Sequence, residues 1–535
     1  MTFSRIAPAI LLALTLPALT VPAHAQRGER RNQQNPESAP AAAPSQTPAA
    51  TTPAAPAPGA PTPPPGAPKP PEHTQALPNP LPADKSVSQT ITVNGKTLHY
   101  TATVGTIAME GKDGKPTGEV VYTAYTLDGA HDRPVLFAFN GGPGAASGFL
   151  NFGAVGPKHV SFGNAGESPS DPAILTDNPG TWLDFTDLVF IDPIGTGFSR
   201  SLVSDDEGKK LFFAPTPDIE YLSLTIYKWL VKNQRMMSKK YVMGESYGGY
   251  RGPRITHYLQ TQLGVGVNGL FLVSPYLNPD FGDRNLSPVP WMITLPSITA
   301  SNLERHNKLT PEAMKDVIAY DEGDYATAVI AGPQNASATN AMIAKVTEMT
   351  GLDPQFVKYS GGRLETGAYL REVHREEGKI GSVYDSNVTD PDPFPYSPDQ
   401  QGSDPILESG MAQITQAMVN FDTVTVGWKI DARYNLLSYE VGRLWDRSGP
   451  DLRRGAVTDL REALAADPKL HVVIMHGWND LSCPFMGSVL TQNQLPPTIA
   501  PQLTVHEFPG GHMFYTRAAN SAELHSLGEQ TVNAH

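Results

Sequence analysis

The sequence predicts an α/β fold, in which a doubly wound, mostly parallel sheet has an inserted, mostly helical cap. Short apolar runs without polar alternation recur along the chain, and each ends in a turn, which is typical of strands buried on both faces. Helical patterns lie between several of these runs, so the chain has the βαβ order of a parallel sheet. Residues 278–433 show helical patterns but no strong buried-strand run, and we assign them to the cap.

A signal peptide is predicted at residues 1–25. Arg5 precedes an apolar stretch at residues 10–20, and residues 23–25 (Ala-His-Ala) match a small-x-small cleavage pattern. The apolar stretch is too short, and too interrupted by proline, for a membrane anchor. We therefore expect an exported protein, periplasmic or secreted, with no membrane span in the mature chain.

The next segment, residues 26–84, is rich in proline and alanine. Of the 51 prolines in the chain, 17 lie between residues 36 and 82, where large apolar side chains are nearly absent. Such a segment cannot bury a core, so we expect a disordered linker or a removable propeptide. The remaining residues, 85–535, are enough for one large domain with insertions.

Charge and composition exclude several classes of partner. The formal net charge is −13 and no run of five like charges occurs, so nucleic acid and anionic membrane surfaces are poor partners. Cys483 is the single cysteine, which excludes an intramolecular disulfide. The sequence has no His-Glu-x-x-His motif, and no Walker loop or dinucleotide fingerprint in a strand-turn-helix context, so we expect no metal and no cofactor.

The predicted elements follow in chain order. Residues 87–104 alternate and reverse at Asn94-Gly95, which indicates a β-hairpin, and residues 118–126 alternate again. The predicted buried strands are residues 135–139, 188–191, 241–243, 270–273, 472–475 and 503–505. Helices are predicted at residues 217–232 and 250–263 between strands, and at residues 311–320 and 338–349 in the cap.

A candidate nucleophile lies where one of these strands ends. Residues 244–249 (Gly-Glu-Ser-Tyr-Gly-Gly) join a strand to a helix, and such a sharp turn needs small residues on both sides of its serine. The turn would present the Ser246 hydroxyl at the N-terminus of the helix. A plain glycine turn after a strand is the alternative.

A serine nucleophile needs a histidine base that is oriented by a carboxylate. On a doubly wound sheet these partners follow the serine in the order Asp, His, each on a loop after a later strand. Asp480 and His512 lie at such positions, whereas His476 precedes Asp480 and is in the wrong order. An ordinary turn carboxylate and an ordinary loop histidine are the alternatives.

The oxyanion of a tetrahedral intermediate needs preorganised N–H donors. Tyr247, the residue after the serine, supplies one of them. The glycine-rich loop at residues 140–144 (Asn-Gly-Gly-Pro-Gly) follows an earlier strand and is placed to supply the other.

Four blocks of sequence resemble the serine carboxypeptidase family. They are residues 140–144 with Gly156-Pro157 downstream, residues 178–182 (Asn-Pro-Gly-Thr-Trp) leading to residues 191–199 (Ile-Asp-Pro-Ile-Gly-Thr-Gly-Phe-Ser), residues 244–249, and Gly511-His512-Met513. Residues 478–484 are more weakly similar, and the blocks together span most of residues 120–515. The resemblance implies an α/β-hydrolase fold with a helical cap. It also implies release of a C-terminal amino acid from peptide substrates through an acyl-enzyme.

The resemblance implies a role for each matching residue. Ser246 would be the nucleophile, His512 the base and Asp480 the residue that orients the base. The N–H groups of Gly142 and Tyr247 would form the oxyanion hole. The substrate's C-terminal carboxylate would be bound by Asn140, the Gly141 N–H and Glu245.

The chain departs from the family at two positions, Ala154 and Ala145. Ala154 stands where the family has the second glutamate of a proton-sharing pair, and a carboxylate substrate beside Glu245 is repelled unless one of the two groups is protonated. Ala145 replaces a cysteine that often forms a disulfide in the family. Cys483 lies three residues after Asp480 and serves either in packing or as a pocket wall.

The sequence thus predicts a serine-type carboxypeptidase that acts on peptides. One alternative is a carboxypeptidase-like esterase or acyltransferase with a non-peptide substrate, which the absent second glutamate favours. The other is a non-enzymatic binding or cell-surface protein that uses the linker as a tether.

Overall fold

The computed structural model describes residues 80–534, apart from residues 131, 165–166, 283–286, 398–401 and 448–454. The predicted signal peptide lies outside the described residues, as do residues 26–79 of the predicted linker. In the part of the chain that is described, no helix has the length and apolar character needed to cross a bilayer.

The described strands, in chain order, are β1 (Lys85–Val93), β2 (Lys96–Glu110), β3 (Pro116–Leu127), β4 (Val135–Phe139), β5 (Lys158–His159), β6 (Thr176–Asp177), β7 (Asp187–Ile191), β8 (Arg200–Ser201), β9 (Lys240–Glu245), β10 (Gly269–Val273), β11 (Lys379–Gly381), β12 (Thr389–Pro391), β13 (His471–Gly477) and β14 (Leu503–Phe508).

The described α-helices are α1 (Asp205–Leu211), α2 (Pro215–Lys232), α3 (Tyr247–Gln262), α4 (Val289–Arg305), α5 (Pro311–Tyr320), α6 (Ala326–Ala331), α7 (Ala336–Thr350), α8 (Pro354–Tyr359), α9 (Thr366–Glu372), α10 (Pro405–Asn420), α11 (Tyr439–Leu444), α12 (Val457–Ala466), α13 (Met486–Asn493) and α14 (Ser521–Asn533).

A ten-stranded mixed sheet lies at the centre of the domain, in the order β1-β2-β3-β7-β4-β9-β10-β13-β14 with β8 beside β3. The strands β1, β2, β3 and β7 pair antiparallel. From β7 through β4 to β14 every pair is parallel. The predicted doubly wound, mostly parallel sheet is therefore confirmed, with an antiparallel extension at one edge.

The hairpin between β1 and β2 turns at the predicted dipeptide. Asn94 and Gly95 have φ angles of 51° and 76°. Two consecutive residues with positive φ are the requirement of the tight turn that matches the twist of the flanking strands, and Asn-Gly meets it at least cost.

Apolar side chains cover both faces of the sheet. Along β4, Leu136 and Ala138 belong to one buried cluster, whereas Phe137 and Phe139 belong to another. Helices α10 and α14 contribute to the first cluster, and helices α2, α3 and α12 contribute to the second. Because both faces are covered by helices, the central strands carry no polar alternation, which is why their runs are visible in the sequence.

The predicted cap segment, residues 278–433, has two parts. Helices α4 to α9 form their own apolar clusters, which reach the sheet through Trp478 and Leu481, the residues two before and one after Asp480. Helix α10 instead packs into the main core, where Ile414 and Met418 are buried. The first part therefore rests on the loop that carries Asp480, and the second belongs to the body of the domain.

Packing on the sheet begins before the predicted boundary at Lys85. Leu81 is buried in the main core, and the Pro82 carbonyl accepts a hydrogen bond from the Trp428 indole at 3.4 Å. Asp84 forms an ion pair with Lys232 at 2.6 Å. The last residues of the predicted linker are thus part of the domain.

Candidate active site

The loops that follow β4, β9, β13 and β14 leave the same edge of the sheet, because parallel strands place their carboxyl ends together. These loops carry residues 140–144, Ser246, Asp480 and His512, respectively. The sequence-predicted residues therefore converge, although they are separated by up to 372 positions in the chain, the difference between 140 and 512.

Ser246 lies on a strained turn between β9 and α3. Its φ and ψ angles are 58° and −121°, a conformation that L residues rarely adopt. A side chain at Gly244 would approach the Gly248 carbonyl oxygen to 1.9 Å, so the turn closes only with glycine at these positions. Ser246 is partly exposed, whereas its neighbours Glu245 and Tyr247 are buried. The local sequence thus presents one hydroxyl at the helix N-terminus.

His512 and Asp480 form a buried pair. The Nδ1 atom of His512 lies 2.8 Å from Oδ2 of Asp480, and the other carboxylate oxygen accepts the N–H groups of Ser482 and Cys483 at 2.8 and 2.9 Å. Burial alone would lower the pKa of His512, but the charge and hydrogen bond of Asp480 outweigh it and raise that pKa above its ordinary value. Asp480 thus contacts the Nδ1 side of the His512 ring, which is the contact expected of a carboxylate that orients a histidine base.

Two contacts hold the serine turn beside this pair. The Ser274 hydroxyl, at the end of β10, donates to the His512 carbonyl at 2.8 Å, and the Ser246 N–H donates to the carbonyl of Val273 at 3.0 Å. Burial raises the pKa of the Cys483 thiol well above its usual range, while the neighbouring Ser246 hydroxyl opposes that rise. The thiol is therefore protonated and is not a competing nucleophile.

The two predicted oxyanion donors flank the serine. In the described part of the chain, the N–H groups of Gly142 and Tyr247 donate to no other backbone group. A Cβ atom at Gly141 would lie 2.5 Å from the Tyr247 nitrogen and 2.9 Å from the Ser246 Cβ, so the two loops are in direct contact. Gly142 has a φ of 102° and is partly exposed. These free donors can meet a developing oxyanion.

Glu245 is buried beside the serine and is surrounded by donors. The Asn140 Nδ2 atom lies 2.5 Å from its Oε2, and the Tyr515 hydroxyl lies 3.0 and 2.9 Å from its two oxygens. Burial raises the pKa of Glu245 to about 7, although His512, Tyr515 and Asn140 each lower it. The predicted carboxylate-binding residues Asn140, Gly141 and Glu245 are therefore adjacent to Ser246.

Ala154 brings no second carboxyl group to this site. It is buried in the π-helical turn Leu150–Val155, and its carbonyl accepts a hydrogen bond from the Asn178 side chain at 2.9 Å. Asn178 also donates to the Gly156 carbonyl at 2.8 Å, which fixes the chain at this point.

An apolar cavity opens next to the serine turn. Its lining includes Tyr276, whose N–H donates to the Ser246 carbonyl at 2.9 Å, and Cys483 of the Asp480 loop. Phe281, Pro290 and Ile293 supply further apolar surface from the cap side. Most of its lining is apolar, and Cys483 is both buried and part of its wall.

Sequence reasoning missed Tyr515 and Arg251. Arg251 is 1% exposed, forms an ion pair with Asp218 at 2.7 Å, and donates to the Asn140 carbonyl at 2.8 Å. A signal existed for both residues. Tyr515 lies only three positions after the predicted base His512. Arg251 lies four positions after Tyr247, near the buried start of helix α3, and a buried charge needs a partner of opposite charge.

A second missed group joins the cap to the catalytic loops. Arg517 contacts Glu304 of α4 through a short ion pair and Asp385 at 2.6 Å. The Asn479 side chain also donates to Glu304, at 2.5 Å. We call Arg517, Glu304, Asp385 and Asn479 the latch.

One group of side chains has ligand types suited to a metal. The ligand atoms of His257, Asp459 and Glu462 lie within 4.8 Å of one another. Arg254 already lies 3.3 Å from Asp459. No residue of this group is among the predicted catalytic residues.

Comparison with known proteins adds a family match. The profile of the family described as serine carboxypeptidase matches residues 120–507, which include Ser246 and Asp480 and end before His512. The solved structure of Kex1(delta)p, a prohormone-processing carboxypeptidase from Saccharomyces cerevisiae, is similar in fold, with a TM-score of 0.52 and 16% identity over 82% of this chain and 92% of that chain.

Curated relatives match over shorter regions. Serine carboxypeptidase-like 36 of Arabidopsis thaliana is 26% identical over 247 residues, 44% of this chain and 46% of the relative. The pheromone-processing carboxypeptidase KEX1 of Ogataea parapolymorpha is 29% identical over 188 residues, 35% of this chain and 27% of the relative. Carboxypeptidase S1 of Penicillium janthinellum is 32% identical over 131 residues, 24% of this chain and 27% of the relative. The chain thus spans less than half the length of each of these relatives.

Proposed function

The chain belongs to the serine carboxypeptidase family and has an α/β-hydrolase fold, and from this premise we propose that it removes the C-terminal residue of peptides. The observation that carries the proposal is the convergence of three groups at one sheet edge. A strained, partly exposed Ser246 lies beside the hydrogen-bonded pair of His512 and Asp480. This is the arrangement that activates a serine hydroxyl.

The proposed reaction uses an acyl-enzyme. Ser246 Oγ attacks the carbonyl carbon of the last peptide bond while His512 takes the hydroxyl proton, and the N–H groups of Gly142 and Tyr247 donate hydrogen bonds to the oxyanion. The C–N bond then breaks as His512 gives its proton to the leaving amine, which departs as a free amino acid. Water next attacks the ester, His512 again takes a proton and returns it to Ser246, and the shortened peptide leaves.

Recognition of the free carboxylate is assigned to Asn140, the Gly141 N–H and Glu245. Their position next to Ser246 supports the assignment, because a C-terminal carboxylate lies only a few bonds from the scissile carbonyl. Below a pH of about 7 Glu245 holds a proton, so a substrate carboxylate meets a donor rather than a second charge.

A second candidate function is favoured by Ala154. Because the segment Leu150–Val155 supplies no carboxyl group, the site could serve an ester or an acyl transfer on a non-peptide substrate that lacks a free carboxylate. This alternative keeps the same nucleophile, base and oxyanion donors, so only the substrate distinguishes it from the first.

A comparison of three substrates tests the proposal. N-blocked Phe-Leu, its C-terminal amide and the ethyl ester of N-blocked Phe differ in the free carboxylate and in the bond cleaved. We expect kcat/KM for the dipeptide to exceed that for its amide by at least about tenfold, since a charged contact of about 1.4 kcal/mol gives that factor. Cleavage of the ester without cleavage of the dipeptide would favour the alternative function.

We also propose that the protein is exported to the periplasm or beyond the cell. The proposal is supported by the sequence pattern of residues 1–25. Mass spectrometry of the mature protein should give Gln26, or a later residue if a propeptide is removed, as its first residue. A mature protein that retains Met1 would contradict it.

A further inference from the structure

We propose that Tyr515 completes the carboxylate site as a positioning residue: its hydroxyl holds the Glu245 carboxyl group in the orientation that receives a substrate carboxylate. The inference rests on the proposed function. It assigns a role to a residue outside the blocks that resemble the family, and it explains how the site works without a carboxyl group at position 154.

The contact geometry is the first step. The Tyr515 hydroxyl lies 3.0 Å from Oε1 and 2.9 Å from Oε2 of Glu245, so it reaches both oxygens. Asn140 reaches Oε2. Glu245 is 2% exposed and Tyr515 is 4% exposed, so water does not compete for these bonds. One phenol proton thus fixes the plane of the carboxyl group.

The Tyr515 side chain is held in place by the local turn and by its packing. Tyr515 lies in a short helical turn, Phe514–Thr516, three residues after His512. Its ring packs against the turn Leu150–Val155, where a Cβ atom at Gly153 would approach the Tyr515 ring to 2.9 Å. The phenol therefore lies against the segment that contains Ala154. Tyr515 and His512 lie on the same loop, so the distance between the proposed base and the phenol that contacts Glu245 is fixed.

The third step is charge. The titratable groups that act on Glu245, or on which Glu245 acts, are His512, Asp480, Tyr515, Tyr384 and Cys483. Burial raises the pKa of Glu245 to about 7, and the hydrogen bond from Tyr515 opposes that rise because it stabilises the ionised form. Removing the phenol hydroxyl removes an opposing effect, so the pKa of Glu245 must move upward.

A bound substrate carboxylate favours the protonated form of Glu245, whereas the hydrogen bond from Tyr515 favours the ionised form. When the substrate carboxylate arrives, a protonated Glu245 can donate to it while Tyr515 donates to the other Glu245 oxygen, and the site then holds one negative charge rather than two. KM for a substrate with a free C-terminal carboxylate should therefore be low below a pH of about 7 and should rise above that pH. A C-terminal amide carries no charge, so its KM should lack this rise.

The test is the pH dependence of the ratio of KM for N-blocked Phe-Leu to KM for its amide, in the wild type and in Tyr515→Phe. The ratio cancels the titration of His512, which both substrates share. In Tyr515→Phe we expect the ratio to increase roughly three- to tenfold at low pH, because one hydrogen bond that orients the anchor is lost, and the midpoint of its rise to move to higher pH. We expect kcat/KM for the amide to fall by a smaller factor than kcat/KM for the dipeptide.

Tyr434→Phe is the matched control. Tyr434 is also a buried phenol, and it donates to a buried carboxylate, Asp192, at 3.1 Å. We expect this variant to leave both the ratio and its midpoint unchanged. Equal losses for the dipeptide and the amide in Tyr515→Phe, or a midpoint that stays or moves to lower pH, would overturn the proposal.

A second variant keeps the proposal testable if Tyr515→Phe does not fold. Glu245→Gln keeps an acceptor for Tyr515 but removes the titration, so the rise of the KM ratio with pH should disappear. A rise that persists in this variant would overturn the proposal.

The inference can fail separately from the proposed function. If the wild type cleaves the ester but not the dipeptide, the proposed function fails, and the carboxylate site is tested by inhibition of ester cleavage. N-acetyl-phenylalanine should then inhibit more strongly than its amide below a pH of about 7, and the preference should weaken in Tyr515→Phe. Equal inhibition by both compounds would overturn the inference as well.

Discussion

At the scale of single residues, the strained backbone of Ser246 is the feature that most directly supports the proposed catalytic role of this serine. A φ of 58° in a non-glycine residue costs on the order of 1–3 kcal/mol and persists only where the surroundings fix it. Here the Ser246 N–H donates to Val273, and the Ser246 carbonyl accepts from Gly249 and Tyr276. Three backbone bonds therefore hold the hydroxyl in position before any substrate binds.

Arg251, in the first part of helix α3, contacts the loop that lies against the Ser246 turn. Both Arg251 and Asp218 are almost fully buried, and the guanidinium also donates to the carbonyl of Asn140. Asn140 is the first residue of the loop at 140–144, which we call the oxyanion loop after its proposed role. The guanidinium lies 5.2 Å from the centre of the ring of Tyr247, the residue whose N–H is the other proposed oxyanion donor. One cation thus joins α2, α3 and the oxyanion loop.

Replacing this cation should be costly. In Arg251→Met the Asp218 carboxylate stays buried without its partner, and we expect the free energy of unfolding to fall by about 3–5 kcal/mol. Arg443→Met is the control, because the Arg443 ion pairs are exposed and such pairs contribute at most about 1 kcal/mol. Urea unfolding followed by fluorescence measures both. Equal effects of the two substitutions would contradict this account of Arg251.

The sequence predicted the positions of Ser246, Asp480 and His512 because each depends on a local pattern, a strand that ends in a turn. It did not predict that Tyr515 contacts Glu245 or that Asp218 pairs with Arg251. Glu245 meets Tyr515 across 270 positions, and Arg251 meets Asp218 on another helix. Such pairs depend on how the elements pack, which no local pattern encodes.

At the scale of elements, the cap and the catalytic loops are joined by backbone as well as by the latch. The His512 N–H donates to the Tyr384 carbonyl at 2.6 Å, and the Leu481 N–H donates to the Val383 carbonyl at 3.2 Å. A side chain at Gly511 would approach the Tyr384 carbonyl oxygen to 1.8 Å, so glycine permits this approach. The cap segment thus sets the positions of both the Asp480 loop and the His512 loop.

Breaking the latch should therefore affect catalysis. In Arg517→Met the loop after His512 loses its contacts with Glu304 and Asp385. We expect kcat for the dipeptide to fall about 10²-fold, the size of effect that follows from small displacements of reacting groups. Arg375→Met, which removes an exposed pair with Glu372 on the cap surface, should change kcat less than twofold. A latch variant with wild-type kcat would contradict the positioning role.

The elements themselves were predicted more completely than their contacts. The strands β4, β9, β10 and β13 and the helix α5 begin and end within a few residues of the predicted bounds, because burial on both faces or a Thr-Pro start leaves a local pattern. The division of the cap was not predictable. Helix α10 and helix α7 have similar apolar patterns, yet α10 packs into the main core and α7 does not.

At the scale of the whole molecule, the domain begins a few residues before the composition changes. Leu81 lies in a proline-rich stretch, so composition assigned it to the linker, but it belongs to the same main apolar cluster as Val93, Leu98 and Trp428. A proline-rich segment can therefore contain the first residue of the hydrophobic core, which composition alone does not reveal.

This boundary can be tested by one substitution. In Leu81→Ala we expect the free energy of unfolding to fall by about 2–5 kcal/mol, the usual cost of truncating a buried leucine. Ile174→Ala is the control, since Ile174 is 64% exposed and its truncation should cost no more than about 0.5 kcal/mol. Urea midpoints of the two variants would measure the difference. If Leu81→Ala is as stable as the wild type, Leu81 does not contribute to the core and belongs to the linker.

The central claim, that Ser246 removes C-terminal residues, is tested most directly by the release of free leucine from N-blocked Phe-Leu by the wild type and by Ser246→Ala. We predict release by the wild type and a decrease in kcat of about 10⁶-fold in the variant, as expected when the nucleophile of a catalytic triad is removed. Equal urea midpoints of the two proteins would show that the fold is kept. Leucine release by Ser246→Ala within tenfold of the wild type would contradict the account.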